Sequence, residues 1–484
     1  MNTQATSQRL VQKLWRFCDV LRDDGLSYPD YVEQLTYLLF LKMAEEQGTL
    51  WLVVPAALKW STLVSRRGRE LHAQYGKILA RLSLSTGMLG LIFKNAQNKI
   101  KDPAKLQKLV IDLINTESWS GMDIDIKGAA YEGLLDKTAQ DMKSGAGQYF
   151  TPRPLVDAIV EVMQPQFGER ICDPAVGTAG FLLSAHRFII RHASNLTASQ
   201  KMFLRLQAYR GVELVESVAR LGAMNLLLHG IGPSGDDYGV LPIVVEDSLV
   251  HPPSETFDVV LTNPPFGKKS AISLQLESGD ENNPRVVRPD FLVESNNKQL
   301  NFVQHVISVL KPGARAAVVV PDNVLFEAGA AERVRKYLLS ECNLHTLLRL
   351  PTGIFYAQGV KANVIFFEKG CSNSREDLWI YDLRTHMKLS LRANPLKSDD
   401  LSDFVHCYSA LDRKRRKATP GNSSRWRKFN RKDILQHEGS RLDIHWNETP
   451  SASKADPNDL AGEIIEDLHT ALCEMQKVTK LLGR

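Results

Sequence analysis

The sequence predicts an α/β fold in which a mostly parallel sheet carries helices on both faces, with a helical region before it and a helix at the C-terminus. Three patterns support this prediction. Apolar residues in the first 140 positions recur at helical spacing. From about residue 145, short β-like runs alternate with helical stretches, which is typical of parallel α/β sheets. The last apolar residues again step by three or four.

The composition is that of a globular protein. The chain has 484 residues, 43% hydrophobic and 24% charged, which is too long for one ordinary core. A net charge of +5 permits a nucleic-acid partner without requiring one. The N-terminus lacks a signal pattern and the apolar runs are too short to span a membrane, so we expect a cytoplasmic protein with no membrane partner. The six cysteines are scattered without zinc-ligand spacing, so no metal site is expected.

Four regions follow from these patterns: a helical domain at 1–140, a sheet domain at 141–385, a polar basic stretch at 386–455 and a terminal helix at 456–484. The helical domain carries no catalytic cluster and is expected to pack, with a surface for DNA or a partner chain. The terminal helix has a narrow apolar stripe, which indicates coiled-coil pairing with another chain. Docking onto its own core is the alternative.

Short apolar runs predict eight strands. They are Arg170–Asp173, Ala208–Glu213, Ile243–Glu246, Asp258–Thr262, Ala316–Val320, Thr346–Arg349, Asn363–Phe367 and Leu378–Leu383. Helical patterns separate most of them: Pro154–Met163, Phe181–Ile190, Ser217–His229 and Leu300–Leu310. In such sheets ligands bind beyond the carboxyl ends of the strands, where the strand order reverses. The residues directly after each strand are therefore the candidates for function.

The first strand leads into a glycine turn. Asp173 ends the strand, Gly177, Thr178 and Gly180 follow, and a helix begins around Phe181. Glycine lets a backbone approach a ligand closely, and the N–H groups at the start of the helix favour an anion such as the carboxylate of a bound amino acid. Taken alone the element is weak evidence, because dinucleotide enzymes and ordinary tight turns share it.

Two acidic residues close the next two strands. Glu213 ends the second strand and can accept hydrogen bonds from both hydroxyls of a ribose. Asp247 closes the third and can accept one from the adenine amino group of a cofactor. Either acid alone would usually be a solvated turn residue.

In front of the first strand, Thr151 is a good N-cap and Pro152 a good first residue for the helix that follows.

The fourth strand runs into Asn263, Pro264, Pro265 and Phe266. Consecutive prolines cannot join a central strand or a helix interior, so the segment is a stiff turn at the carboxyl edge. Its chemistry suits an adenine amino group: the Asn263 side-chain oxygen and the Pro264 carbonyl can each accept one N–H, and Phe266 can stack on the base. A base within a duplex must be flipped out to reach such a pocket. A merely rigid loop is the alternative.

At these residues the sequence resembles the amino-methyltransferases, and more closely the modification (M) subunits of type I restriction–modification systems. Gly147–Pro152 looks like that family's first cofactor motif, Asp173–Gly180 like its glycine-rich motif and Asn263–Phe266 like its catalytic tetrapeptide. The order of the motifs is that of the γ class. The resemblance covers most of residues 10–385, and continues in Arg425–Phe429 and the terminal helix.

The resemblance implies a Rossmann-like, S-adenosylmethionine-dependent methyltransferase that methylates N6 of adenine in duplex DNA. Gln148, Tyr149, Phe150 and Thr151 would then contribute to the cofactor site. It also implies a complex of two M chains with one specificity (S) subunit, joined by a restriction (R) subunit, with the terminal helix as a site for pairing with S. The sequence contains no Walker-type loop, which agrees with cleavage by another chain.

Three alternatives remain. Methyltransferases of ribosomal RNA or protein glutamine share the Asn-Pro-Pro-aromatic turn, but they typically carry Tyr at the position of Phe266 and lack the long helical N-terminus. A catalytically silent DNA-binding scaffold would not need an intact Asn263. A nicotinamide oxidoreductase would have no use for the Asn263–Phe266 turn.

One departure from the family is Ala179, where many relatives have a second glycine. Because an alanine methyl fits many such turns, we expect little effect.

The polar stretch contains two basic runs, Arg413–Lys417 and Arg425–Phe429, the second with interleaved aromatic residues. Such a run can track a phosphate backbone, or it can be a solvated loop. The sequence favours neither reading.

Overall fold

The computed structural model describes most of the chain up to residue 446. The described ranges are 3–22, 25–47, 54–117, 131–135, 151–193, 195–233, 240–266, 288–355, 360–370, 376–384, 387, 389, 394–417 and 425–446. The chain divides into two units, Met1–Leu442 and Asp443–Arg484. The predicted terminal helix and the predicted cofactor residues Gln148, Tyr149 and Phe150 lie outside the described residues.

The N-terminal region is helical, as predicted. Its helices are α1 (Thr3–Arg22), α2 (Tyr28–Gln47), α3 (Trp60–Val64), α4 (Gly68–Leu82), α5 (Gly87–Phe93) and α6 (Pro103–Gln107), the last continuing into a π-helix at Lys108–Ile114. Aromatic rings join the first two helices, since Trp15 stacks on Tyr28 with ring centroids 5.4 Å apart. Among the described helices, none is long and apolar enough to cross a membrane.

A nine-stranded sheet forms the centre of the first unit, in the order β3-β2-β1-β4-β5-β7-β6-β8-β9. The strands are β1 (Ile171–Asp173), β2 (Tyr209–Glu213), β3 (Ile243–Val245), β4 (Phe257–Thr262), β5 (Leu310–Pro321), β6 (Cys342–Arg349), β7 (Ala362–Lys369), β8 (Leu378–Asp382) and β9 (Trp426–Phe429). Neighbours pair in parallel except that β7 is antiparallel to β5 and β6, and β9 to β8. All eight predicted strands are present, so the predicted α/β class is confirmed.

Helices cover the sheet. They are α7 (Arg153–Met163), α8 (Gly180–His192), α9 (Ala198–Leu206), α10 (Glu216–Leu228), α11 (Lys298–Val309), α12 (Asp322–Phe326), α13 (Ala330–Ser340), α14 (Ser398–Tyr408) and α15 (Arg431–Gln436). The strand order reverses between β1 and β4, because the chain builds β2 and β3 on one side of β1 and then returns to add β4 on the other. The reversal opens a crevice at the carboxyl ends of these strands.

Part of the basic stretch is ordered within the sheet, which departs from the solvated-loop reading for Trp426–Phe429. Part of it is β9, an edge strand whose Trp426 stacks on Trp379 with ring centroids 5.0 Å apart. Arg416 is buried over a tyrosine ring, 4.3 Å from its centroid, and Arg413 makes ion pairs with two glutamates. These side chains therefore stabilise the far edge of the sheet, while Lys414, Arg415, Arg427 and Lys428 are exposed.

Candidate active site

A cavity lies at the carboxyl ends of β1 to β4. Its volume is about 1160 Å³, including the part that is open to solvent. Most of the predicted site residues that the structure describes line it: Thr151, Asp173, Gly177, Thr178, Gly180, Glu213, Asp247, Asn263 and Pro265. Pro264 and Phe266 belong to the same turn but do not line the cavity. One crevice thus gathers residues that span more than a hundred positions of the chain.

The glycine turn is held against α10 at close range. Gly177 has a φ of 54°, and a Cβ on Gly222 of α10 would lie 2.7 Å from its carbonyl oxygen. The side chain of Asn225, one turn further along α10, donates a hydrogen bond of 2.9 Å to the Thr178 carbonyl. The turn and the helix therefore fit only because position 222 lacks a side chain.

Ala179 is the N-cap of α8 and is buried in the left-handed conformation, with a φ of 67°. We expected its methyl group to be accommodated easily. The backbone angle corrects that expectation, because a Cβ in the left-handed region costs roughly 1 kcal/mol that glycine does not incur. Alanine at this position introduces local strain.

Glu213, at the end of β2, contacts the glycine turn. Its carboxylate accepts hydrogen bonds from the backbone N–H groups of Gly177 at 3.1 Å and Val215 at 2.9 Å. Burial raises the pKa of Glu213, and the backbone hydrogen bonds oppose the rise. Glu213 thus joins the glycine turn to the end of β2, and its oxygens keep further lone pairs for a ligand.

Asp173 is the most deeply buried acid of the cavity, with 2% of its surface exposed. Burial raises its pKa to about 7, while a hydrogen bond from the Ala175 N–H acts in the opposite direction. The nearby charge of Glu213 adds to the rise. A positively charged ligand would favour the carboxylate form.

Asp247 lies two residues beyond the end of β3, which is shorter than predicted. Its Oδ1 accepts the N–H of Leu249 at 2.9 Å. The next residue, Ser248, donates through its hydroxyl to the Pro174 carbonyl at 2.6 Å. The loop after β3 is therefore tied to the glycine turn after β1, and this arrangement presents Asp247 at the cavity wall.

Asn263 is anchored by Thr151. Its Nδ2 donates a 2.9 Å hydrogen bond to the Thr151 hydroxyl, while its Oδ1 is buried and has no hydrogen-bond partner among the residues that the structure describes. The predicted role of Thr151 as a helix cap is wrong: α7 begins one residue later, at Arg153, with Pro152 as its N-cap and no side-chain cap bond. The hydroxyl instead orients the amide of Asn263.

Phe266 packs edge-to-face against Phe355, with ring centroids 5.3 Å apart and planes at 73°. Phe355 follows β6, so a second aromatic residue reaches the turn from the other half of the sheet. A carbonyl within the turn is also held, since Gln299 of α11 donates to the Pro265 oxygen at 3.3 Å. Neither contact was predicted, because both partners are remote in sequence and belong to no local pattern.

Charged residues that the sequence did not single out also line the cavity. Glu132 is buried and makes an ion pair of 2.6 Å with Arg153, whose side chain is 28% exposed. Lys298 lies at the first position of α11. Together the described lining groups are five acids and two bases: Glu132, Asp173, Glu213, Glu246, Asp247, Arg153 and Lys298. The excess of carboxylates favours a ligand with net positive charge.

Comparisons with known proteins show the family of the chain. The family model described as N-6 DNA Methylase matches residues 122–434, and the model of the HsdM N-terminal domain matches residues 10–113. The methylase subunit of the type I restriction enzyme EcoKI from Escherichia coli K12 is 38% identical, over 98% of this chain and 95% of the relative. The StySPI methylase subunit of Salmonella potsdam is also 38% identical, with the same coverage.

Solved structures give the same result. The crystal structure of the EcoKI M protein matches with 35% identity and a TM-score of 0.54, covering 98% of this chain and 96% of that one. A chain from a study of assembly and conformational transition in a type I R-M system matches with 27% identity and a TM-score of 0.73, covering 98% of both.

Fold, site and family models together define an N-6 DNA methylase. Within that class, the chain belongs to the family of methylase (M) subunits of type I restriction enzymes. The predicted family and enzyme class, an adenine-specific N6 DNA methyltransferase, are confirmed.

Proposed function

We propose that the cavity binds S-adenosylmethionine and that the Asn263–Phe266 turn presents N6 of a flipped adenine to it. One observation carries this proposal. The Asn263 amide is anchored through Nδ2 to Thr151, whereas its Oδ1 is buried without a partner among the described residues. A buried carbonyl without a donor is costly, and an amino group of the substrate supplies the missing donor.

The residues of the cavity fit this cofactor. Glu213 and Asp247 close neighbouring strands and offer acceptors to ribose hydroxyls and to an adenine amino group. The close approach of the glycine turn to α10, which a Cβ on Gly222 would prevent, leaves the backbone of the turn exposed to the cavity. Because acids outnumber bases along the wall, the site also suits a ligand whose ammonium and sulfonium charges exceed its one carboxylate.

S-adenosylmethionine supplies, when bound, a methyl group made electrophilic by its sulfonium. The protein contributes position and polarity. We assign to Asn263 Oδ1 and to the Pro264 carbonyl the two N–H groups of the adenine N6, so that the nitrogen lone pair is withdrawn from the ring and directed at the methyl carbon. Phe266, braced by Phe355, stacks on the base and offsets part of the roughly few kcal/mol that flipping costs.

The chain is proposed to act within an assembly. Its relatives are subunits of type I restriction enzymes, so we assign to this chain a partner S subunit that reads the DNA sequence, a second M chain and an R subunit for cleavage. The substrate is then an adenine in duplex DNA at a site chosen by S.

Transfer of a labelled methyl group to duplex DNA, RNA or protein tests the proposal, using the full chain co-expressed with its S subunit. We expect label in DNA alone, located at N6 of adenine. Asn263→Ala should reduce transfer by at least about 100-fold, the scale on which loss of a single oriented polar group acts, and leave the cofactor dissociation constant nearly unchanged. Label in RNA or protein would support a different substrate, and cofactor binding without transfer would support a silent scaffold.

A further inference from the structure

The loop after β3 carries Asp247, the acid that the proposed function assigns to the amino group of the cofactor's adenine. Two hydrogen bonds hold this loop against the ends of the neighbouring strands. Ser248 donates through its hydroxyl to the Pro174 carbonyl, just after β1, at 2.6 Å. The Glu246 N–H donates to the Glu213 carbonyl, at the end of β2, at 3.1 Å. A third attachment comes from a different part of the chain.

That attachment is Arg288, which no sequence pattern singled out. Its Nη1 donates to the Ser248 carbonyl at 3.1 Å. In the chain, Arg288 lies between the Asn263–Phe266 turn and α11. Its side chain is 1% exposed, and it is not among the described residues that line the cavity. Arg288 therefore reaches the site through the loop that carries Asp247.

Three neighbouring groups hold the guanidinium of Arg288. Asp290 accepts two hydrogen bonds from it, at 3.0 and 2.5 Å, and the guanidinium lies 4.1 Å from the ring centroid of Phe291. His305 of α11 accepts a third bond through Nδ1, at 3.0 Å. Burial, with the charge of Arg288, lowers the pKa of His305 to about 3, so the ring is neutral and Nδ1 keeps the lone pair that accepts the bond. The donor that reaches Ser248 is thus fixed in direction.

The position of the Asp247 carboxylate matters because related purines present different groups along one edge. Adenine has a 6-amino donor. Hypoxanthine has a 6-oxo acceptor and, beside it, an N1–H donor. A carboxylate held in one place accepts from the amino group and is repelled by the 6-oxo group, whereas a carboxylate that can shift along the edge can accept the N1–H instead. Discrimination between the two purines therefore depends on how firmly the loop is held.

We propose that Arg288 is a positioning residue for Asp247 and that, through the Ser248 carbonyl, it makes the cofactor site select a 6-amino purine over a 6-oxo purine. The assignment rests on the proposed function. The segment between the Asn263–Phe266 turn and α11 then contributes to recognition of the cofactor, although none of its described residues lines the cavity.

Calorimetric binding of S-adenosylhomocysteine and S-inosylhomocysteine tests this assignment, using the full chain in the complex in which it methylates DNA. The two ligands differ only along the purine edge. The wild type should prefer the adenosyl ligand by about 10- to 100-fold, the scale of a hydrogen bond to a charged group. Arg288→Met should weaken the adenosyl ligand by about 10-fold and the inosyl ligand by less than about 3-fold. Arg288→Lys keeps a donor for the Ser248 carbonyl and should lie between.

Arg315→Met is the matched control. Arg315 of β5 also binds one carboxylate through two nitrogens, that of Glu169, and donates to two backbone carbonyls at the end of α7. None of these bonds reaches the loop after β3, so the substitution should leave the preference between the two ligands unchanged.

Asp290→Asn is a second variant, at an exposed residue. It removes the charge that orients the Arg288 guanidinium and should lower the preference by about 3-fold. Thermal unfolding of each variant identifies any that does not fold. If Arg288→Met is one of these, an unchanged preference in a folded Asp290→Asn variant would still contradict the assignment.

Equal losses for both ligands in Arg288→Met would show that the arginine only supports the fold, and would overturn the assignment. So would a wild-type complex that binds the two ligands equally, or a preference that Glu246→Gln removes and Asp247→Asn retains, since Glu246 is the other acid of the loop at the cavity wall. In each case both ligands still bind, so the proposed function stays intact. The proposed function itself fails separately, if the wild-type complex binds neither ligand and transfers no methyl group.

Discussion

The carboxyl edge of the sheet has two halves that use polar side chains differently. At the ends of β1 to β4, polar groups face a cavity, and two buried amide oxygens, those of Asn225 and Asn263, have no partner among the described residues. At the ends of β5, β6 and β8, the polar groups bind one another. Arg384 donates to Asp322 at 2.6 Å and to the Asn363 oxygen at 3.0 Å.

In the second half, charged side chains form hydrogen bonds and ion pairs mainly with one another and with the backbone. Arg349, at the end of β6, donates to Asp382 at 3.3 Å and to the Leu442 carbonyl at 3.1 Å. Charges that satisfy one another stabilise the fold and leave little for a ligand. Groups that lack partners cost stability, which a substrate restores when it binds. The contrast supports the proposed site at the ends of β1 to β4 and does not depend on any relative.

Replacement of one aspartate by asparagine in each half of the edge tests this comparison most directly. Asp382→Asn should lower the free energy of unfolding by about 3 kcal/mol, because it leaves the buried Arg349 guanidinium without its carboxylate. Denaturant unfolding measures the loss, and cofactor affinity of the folded protein should not change. A stability loss below about 0.5 kcal/mol would show that the network is not structural.

Asp247→Asn is the counterpart in the cavity half. The Leu249 N–H can still be accepted by the amide oxygen, so stability should stay within about 0.5 kcal/mol of the wild type. Loss of the charged acceptor should weaken cofactor binding by about 10-fold. Calorimetry gives the constant, and an unchanged affinity would remove Asp247 from the site.

The pKa of Asp173, raised to about 7 by burial, predicts pH-dependent binding of a cationic cofactor. The ligand favours the carboxylate, so protons compete with it, and affinity should fall by about 10-fold from pH 8 to pH 6. For the ligand-free protein the sign is opposite. A raised pKa of a buried acid means that its contribution to stability is present at low pH and is lost as the pH rises through about 7.

Asp173→Asn separates this titration from that of the cofactor itself. The variant should bind more weakly at pH 8 and show a flat profile where the wild type is steep. Parallel profiles for the two proteins would assign the pH dependence to another group.

Thr151→Val tests the hydrogen bond that orients Asn263. Valine has nearly the same shape but no hydroxyl, so the amide loses its anchor and the rate of methyl transfer should fall by about 5- to 10-fold. Because the substitution changes the orientation of the Asn263 amide and leaves the other residues that line the cavity in place, the cofactor dissociation constant should change by less than about 2-fold. Thr151→Ser keeps the hydroxyl and should restore most of the rate; equal defects in both variants would contradict the role.

The smallest effect is expected at Ala179. Its left-handed backbone, with a φ of 67°, is adopted more readily by glycine, so Ala179→Gly should raise the free energy of unfolding by up to about 1 kcal/mol. Thermal unfolding without ligand measures the gain. Destabilisation by the substitution would show that the buried methyl group packs more favourably than the backbone angle suggests.

Local patterns predicted much of the fold and of the cavity. The alternation of strand-like and helical patterns predicted eight of the nine strands of the sheet. It could do so because hydrophobic periodicity is a property of neighbouring residues. The paired prolines after β4 and the glycines after β1 located both turns of the site for the same reason. The edge strand β9 was missed, since a single buried tryptophan among basic residues produces no apolar alternation.

The sequence by itself determined the fold class, the turns at the strand ends and the family to which they belong, because each of these depends on residues close together in the chain. The tertiary structure decided which distant groups meet: Thr151 with Asn263, Gly222 with the turn at Gly177, and Glu132 with Arg153. A hydrogen bond or ion pair between remote positions leaves no periodic trace in the sequence, since it arises only when the sheet brings its strand ends to one edge.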